Sequence, residues 1–217
     1  MPLPEHLLRP LQGLDWNDIA KVEHATATLL GTLVEDRALL RDAADAVLQT
    51  PGLAALCEHY DILDKLVLHD DATGFRVRLH LFLPGHYDRP HNHRWTYSAR
   101  LLAGSYVHTL YGTDDGFDDT TDVGQLQPRM VRTEHTGSTY TLHHSMVHAA
   151  VAEPHTVSLI VRGPAVKDRF LVTDRRTGRV WWQSGASLET PEEAAAKAMN
   201  PAQINATIDK LTALKVF

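Results

Sequence analysis

The chain carries one cysteine, Cys57, in 217 residues, so it cannot close an internal disulfide and shows no sign of an oxidising compartment. It lacks any apolar run near the roughly 18 residues that cross a membrane as a helix. Its first residues, MPLPEHLLRPLQGLDW, have no basic segment followed by an apolar one. They are read as carrying no secretory signal, and a cytoplasmic location is the expectation. Excess positive charge is missing too. The 21 Lys and Arg against 27 Asp and Glu leave a net charge of -6. Nucleic acid is therefore not expected as the main partner, because phosphate binding needs a clustered basic surface. Internal repeats and low-complexity tracts are absent. What is present suits a soluble globular chain with a real core: 43% apolar and 22% charged residues. Histidine is abundant, 14 in all, and crowds the middle third.

The first third reads helical. Asp15 to Asp18 offer N-caps before Ile19, Val22, Ala25, Leu29 and Leu30, spaced for one helical face. A second helix is expected from Asp36 to Leu48 with Leu39, Leu40, Ala43, Ala44 and Val47 as its stripe, Pro51-Gly52 as a break, and a short third helix from Leu53 to His59. The period then changes to two. Strands are expected near 65–69, 75–83, 91–102, 105–111, 127–134, 139–142, 148–152, 156–162, 169–173 and 179–183, with Gly/Pro/Asp turns between them. Short strands at this spacing predict an antiparallel sandwich or barrel. In the strand from Phe75, the phenylalanine with Val77, Leu79 and Leu81 forms the core side, and Arg76, Arg78 and His80 are read as its solvent face, with the barrel interior as the alternative. Residues 112–125 read as a loop. The tail returns to helix after Thr190-Pro191 and again after Asn200-Pro201. The layout is an N-terminal helical segment at 1–62, a barrel at 63–185 and C-terminal helices at 186–217, one compact domain overall.

The stretch richest in chemistry is His91-Asn92-His93. Histidines at i and i+2 on a strand share a face, and neutral imidazole is the commonest ligand for a first-row transition metal. With His148 arriving from another strand, three imidazoles hold one metal and leave positions open, the mark of a catalytic rather than structural site. His144 is the alternative third ligand. By the same parity Trp95 and Tyr97 point inward beside the histidines. Tyr106 and His108 fit either face. Trp181-Trp182 are expected to pack a helix onto the barrel, with a binding platform as the alternative, and Cys57 to be a buried, inert thiol.

The spacing of these residues resembles the cupin superfamily. Gly85, five residues, His91-x-His93, three residues, Tyr97, six residues and Gly104 match its first motif, with Tyr97 where many cupins place a metal-binding glutamate. Gly137, His143, Ser145, His148 and Ala152 form a weaker second motif in which only the first glycine and His148 keep the usual residue. The resemblance implies a double-stranded β-helix, or jelly-roll barrel, with His91, His93 and His148 as metal ligands. Phe75 to His93, Leu101 to Gly104 and Thr109-Leu110-Tyr111 look more narrowly like cysteine dioxygenase and its thiol dioxygenase relatives, which bind ferrous iron with three histidines. Three positions depart from that pattern. Lys65 stands where the cysteine enzymes clamp a carboxylate with arginine. Ile160 and Arg162 replace two members of a Ser-x-His-x-Tyr relay of which Ser158 alone survives. Cysteine is therefore not the expected substrate, and Arg162, Lys65 and Ser158 become the substrate-binding candidates.

The resulting expectation is an iron(II) dioxygenase using O2 on a small polar substrate bearing a carboxylate or thiol, with Tyr97 and Trp95 as candidate catalytic residues. Nickel, zinc, manganese or copper are alternative metals. The competing readings are a metal-dependent lyase or isomerase and a non-catalytic small-molecule-binding cupin. The chain is expected to act as a monomer or homodimer, away from membranes.

Overall fold

The computed structural model describes residues 3–185 and 188–217; the expected boundary at Ala186 lies outside them. The N-terminal third holds α1 (Glu5–Leu8), α2 (Ile19–Glu35), α3 (Arg37–Gln49) and α4 (Pro51–Ala54). Asp18 caps α2 by accepting from the Lys21 N–H at 3.1 Å, and Asp36 caps α3 through the Leu39 N–H at 2.9 Å. The third helix departs from expectation. α3 stops at Gln49, ahead of Pro51 as expected, but Pro51 also opens α4, because its fixed φ suits the first helical turn. Glu58–His59 forms a short edge strand, β1, rather than the helix end.

Ten further strands follow: β2 (Leu63–Asp70), β3 (Arg76–Phe82), β4 (Tyr97–Ala103), β5 (Ser105–Thr113), β6 (Met130–His135), β7 (Thr139–Leu142), β8 (Met146–Ala152), β9 (Val157–Arg162), β10 (Arg169–Thr173) and β11 (Val180–Ser184). They pair antiparallel into a six-stranded sheet of order β1-β2-β3-β9-β4-β7, a three-stranded sheet β6-β5-β8 and the hairpin β10-β11. This is the mainly β, antiparallel architecture expected from the strand spacing, arranged as the jelly roll that the resemblance implied, with helices at both ends; α5 (Pro191–Lys197) and α6 (Pro201–Ala213) close the chain. Two motif glycines are required sterically. At Gly104 (φ +74°) an added Cβ would lie 2.5 Å from the Thr156 hydroxyl, and at Gly85 (φ +151°) it would meet the Tyr87 ring at 2.3 Å.

One large core lies between the helices and the outer face of the six-stranded sheet. Leu29, Leu33 and Val47 from the N-terminal helices and Ile204 and Leu211 from α6 meet Val77, Leu79, Leu159 and Val161. The inner face carries a second cluster of Phe82, Tyr97, Tyr106, Tyr140 and Ile160. This layering corrects the reading of β3. Arg78 and His80 do not face solvent: helices cover the apolar side, so the polar side turns into the barrel, where Arg78 is 6% exposed. Arg76, at the strand end, pairs with Asp70. Among the described residues no helix is long and apolar enough to cross a membrane.

Candidate metal centre

His91, His93 and His148 come together, one ring nitrogen from each lying within 4.8 Å of the others. The backbone explains why. His91 lies outside any strand, in an isolated bridge with His148: its N–H donates to the His148 carbonyl at 2.8 Å and the His148 N–H returns the bond at 2.9 Å. Residues 91–96 are therefore not the start of a strand, as expected, but a pinned segment. Asn92 holds it from the other side, accepting from the Leu171 N–H at 2.9 Å and donating to Asp114 at 2.7 Å. Regular pairing begins only at Tyr97.

Each ring is oriented by its second nitrogen or its neighbours. His91 Nδ1 donates to the Arg89 carbonyl at 2.8 Å, which leaves Nε2 with a free lone pair. His148 Nδ1 lies 3.0 Å from His108 Nε2, and His108 Nδ1 lies 3.2 Å from Glu134 Oε1. Since the carboxylate accepts, His108 donates to it through Nδ1 and accepts at Nε2 from His148 Nδ1–H, so His148 also presents Nε2. Arg132 pairs with Glu134 from the surface. His93 Nε2 sits 2.8 Å from His148 Nε2, close to the ~3 Å between two nitrogens that each stand about 2.1 Å from one metal at a right angle.

Burial keeps all three imidazoles neutral, which is the state that binds a metal. It pulls His91 down to about 4, and it holds His93 and His148 well below the ordinary histidine value, with neighbouring histidines adding to the effect. Three neutral, pre-oriented donors with no carboxylate among the cluster fit a transition-metal ion. The expected alternative, His144, is not part of the cluster; its ring stacks at 3.9 Å on His143, and its Nδ1 faces Thr96.

Tyr97 is 4% exposed and its hydroxyl stands 3.4 Å from His148 Nε2. Burial, reinforced by Tyr140, raises its pKa well above the normal phenol value, so it is an O–H donor and not an anionic ligand. Trp95 stacks on His93 with centroids 4.7 Å apart. Lys65 and Ser158 line the same cavity, of about 830 Å³. Lys65 is already engaged, with Glu58 at 3.3 Å and the Tyr60 ring at 4.1 Å.

Arg162 is placed differently. Its Nη1 donates to the carbonyls of Gly74 at 2.7 Å and Gly163 at 2.8 Å, it packs 5.5 Å over Trp95, and it does not line the cavity. The carboxylate clamp expected of it has no support in this geometry, since a guanidinium already holding two carbonyls beyond the wall cannot also reach into the cavity. Trp181 and Trp182 lie on β11 and line the cavity rather than packing a helix. Cys57 is fully buried, donates to the Leu53 carbonyl, and has its thiol pushed up to about 11 by burial, so it is inert as expected.

The sequence reading left His108 unassigned and passed over Glu134 and Phe170. Period two along β5, which puts Tyr106 and His108 on one face, was the available signal for the first; nothing local marked the other two.

The sequence matches no protein-family model and none of the curated proteins. Several solved structures match about half of the chain at low similarity. They include KdgF from Halomonas sp. (17% identity, 48% of this chain and 82% of that one, TM-score 0.37). An RmlC-like cupin from Shewanella frigidimarina is 16% identical over 52% of this chain and 86% of that one, TM-score 0.38. The DMSP lyase DddQ from Ruegeria pomeroyi is 13% identical over 51% of each chain, TM-score 0.38. At this level of likeness nothing about function carries over, and the functional reading stands on the three-histidine site, which suits a transition-metal ion.

Proposed function

We propose that this chain is a metal-dependent oxygenase that uses ferrous iron and O2 on a small organic substrate bound beside the three histidines. The observation that carries the reading is the all-neutral donor set: His91, His93 and His148 converge within 4.8 Å, and a protonated phenol, Tyr97, occupies the place of an acidic ligand. Iron held this way would keep its full charge and open positions, and would supply the redox chemistry with O2. The protein's part is positional. His91 and His148 are fixed by Arg89 and His108; Trp95 and Phe170 flank His93 and keep water from it. Tyr97 offers a hydrogen bond at the reacting centre, and Lys65 and Ser158 face the bound molecule.

The test is anaerobic reconstitution with Fe²⁺ followed by O2-electrode measurement across a panel of candidate substrates, with His91→Ala as control. Substrate-dependent O2 uptake that disappears in the variant supports the reading. Turnover that continues without O2 would overturn it and mark Lewis-acid chemistry instead.

A further inference from the structure

Ten of the chain's fifteen Phe, Trp and Tyr residues line the cavity into which the histidines open. Aromatics are only 7% of the sequence, so this wall gathers most of them in one place. A cavity of about 830 Å³ belongs to the upper part of the ~300–1,000 Å³ range of sites for drug-sized ligands, more room than a cysteine-sized molecule needs. Its inner end is flat-sided: Trp95 and Phe170 both stack on His93, with ring planes 30° and 20° from it.

One polar group in this wall has no mate. His80, on β3, lines the cavity, yet its Nε2 is buried and makes no hydrogen bond among the described residues. An orphaned buried nitrogen is costly, which marks it as a place where a bound molecule completes the bond. Three of the cavity's cations are already engaged: Lys65 is paired with Glu58, Lys197 with Glu58 and Glu189, and Arg89 with Asp61 and Asp174, while Arg176 and Arg179 line it as exposed residues. The complement of the aromatic wall and of His80 is a flat apolar body with a neutral hydrogen-bonding group.

We infer that the cavity takes a planar aromatic molecule bearing a hydroxyl group, its ring on the aromatic wall and its hydroxyl bonded to His80 Nε2. The inference rests on reading the cavity as the substrate site of the metal centre. It narrows the substrate class and moves it away from small thiol amino acids.

Isothermal titration calorimetry with 2-naphthol, cyclohexanol and L-cysteine tests it on the full chain and on His80→Phe, with His80→Leu as the second variant and circular dichroism as the check on folding. The expected result is that 2-naphthol binds at least about tenfold more tightly than the other two probes and loses about tenfold in the folded His80 variant. Equal affinity for cyclohexanol or L-cysteine, no binding of 2-naphthol, or an unchanged 2-naphthol affinity in a folded variant would each overturn it. A Zn²⁺ titration of the same samples separates the two claims. Loss of metal binding with 2-naphthol selectivity intact sinks the metal reading alone, and the reverse sinks only the aromatic class.

Discussion

The two faces of the six-stranded sheet are made by the same strands and are buried almost equally, yet they do different work. On β3 and β9 the outer residues Val77, Leu79, Leu81, Val157, Leu159 and Val161 are at most 3% exposed and meet only apolar helix faces. The inner residues Arg78, Phe82, Ser158 and Arg162 are also buried, at 2–7% exposure, but they are charged, polar or aromatic, with aliphatic Ile160 between them. Burial alone does not separate scaffold from site. A buried polar residue has to be matched by partners or by a ligand, so chemistry gathers on the face where buried side chains are not hydrocarbon.

Ligand removal should give the largest effect, on the cavity side that the inner face and β8 share. His148→Ala is expected to weaken Zn²⁺ or Co²⁺ binding by about 1,000-fold or more, roughly 4 kcal/mol, with little change in urea unfolding of the metal-free chain. A competitive titration with a chromophoric chelator measures it; affinity within tenfold of the parent would remove His148 from the site. The outer face gives the opposite pattern. Leu79→Ala should cost about 3 kcal/mol of stability, inside the 2–5 kcal/mol range for buried Leu→Ala changes, while metal affinity stays unchanged in the folded protein. Coupled loss of both would mean that the two faces are not separable.

A third change sits behind the triad. His108→Phe removes the acceptor that orients His148 and is expected to weaken metal binding by about 10–100-fold, with a shifted visible spectrum for the Co²⁺-loaded chain. Glu134→Gln keeps an acceptor for His108 Nδ1–H and should recover part of that affinity. Identical behaviour of the two variants would deny the chain its orienting role.

The smallest effect is electrostatic and lies near the cavity mouth. Burial opposes ionisation of Glu58, but Lys65, Arg78 and Lys197 override it and hold its carboxyl well below the usual range. A carboxylate lowered on folding adds stability above its ordinary value of 4.5, and that contribution is lost as pH falls below it. The gap in urea stability between the parent and Glu58→Gln should therefore be largest near neutral pH and shrink below about 4.5. A gap independent of pH would show that Glu58 acts only through packing.

Much of this was legible in the chain. Strands β7 and β10 fall on the residues expected from their alternation, and the Asp18 and Asp36 caps start the helices they were read to start. His91 and His93 were legible as candidate ligands because motif spacing is a local property, while His148 shared its place with His144 until the fold brought it to them. Arg162 lies on the inner face as its parity implied, with its Nη1 donating to the Gly74 and Gly163 carbonyls, whereas the β3 polar face was misread. Period-two alternation separates two faces but carries no label for which is covered, and here helices cover the apolar face from outside. His80 and Arg78 consequently looked like a solvent edge. Trp181 and Trp182 were misplaced because the packing of β11 beside the cavity mouth is decided by residues far away in the chain.

By itself, then, the sequence determined the order of helices and strands, the turns that demand glycine and the His91-x-His93 pair, all set by periodicity, backbone sterics and ligand chemistry over short spans; the choice of His148 over His144 as its companion came from the fold. Only the tertiary structure decided that His91 and His148 are locked by a reciprocal backbone bridge, that His108 and Glu134 stand behind the triad, and that aromatics from six separate strands close around one cavity. Those contacts join residues dozens of positions apart, and their formation depends on the packing of whole sheets, which no local pattern encodes.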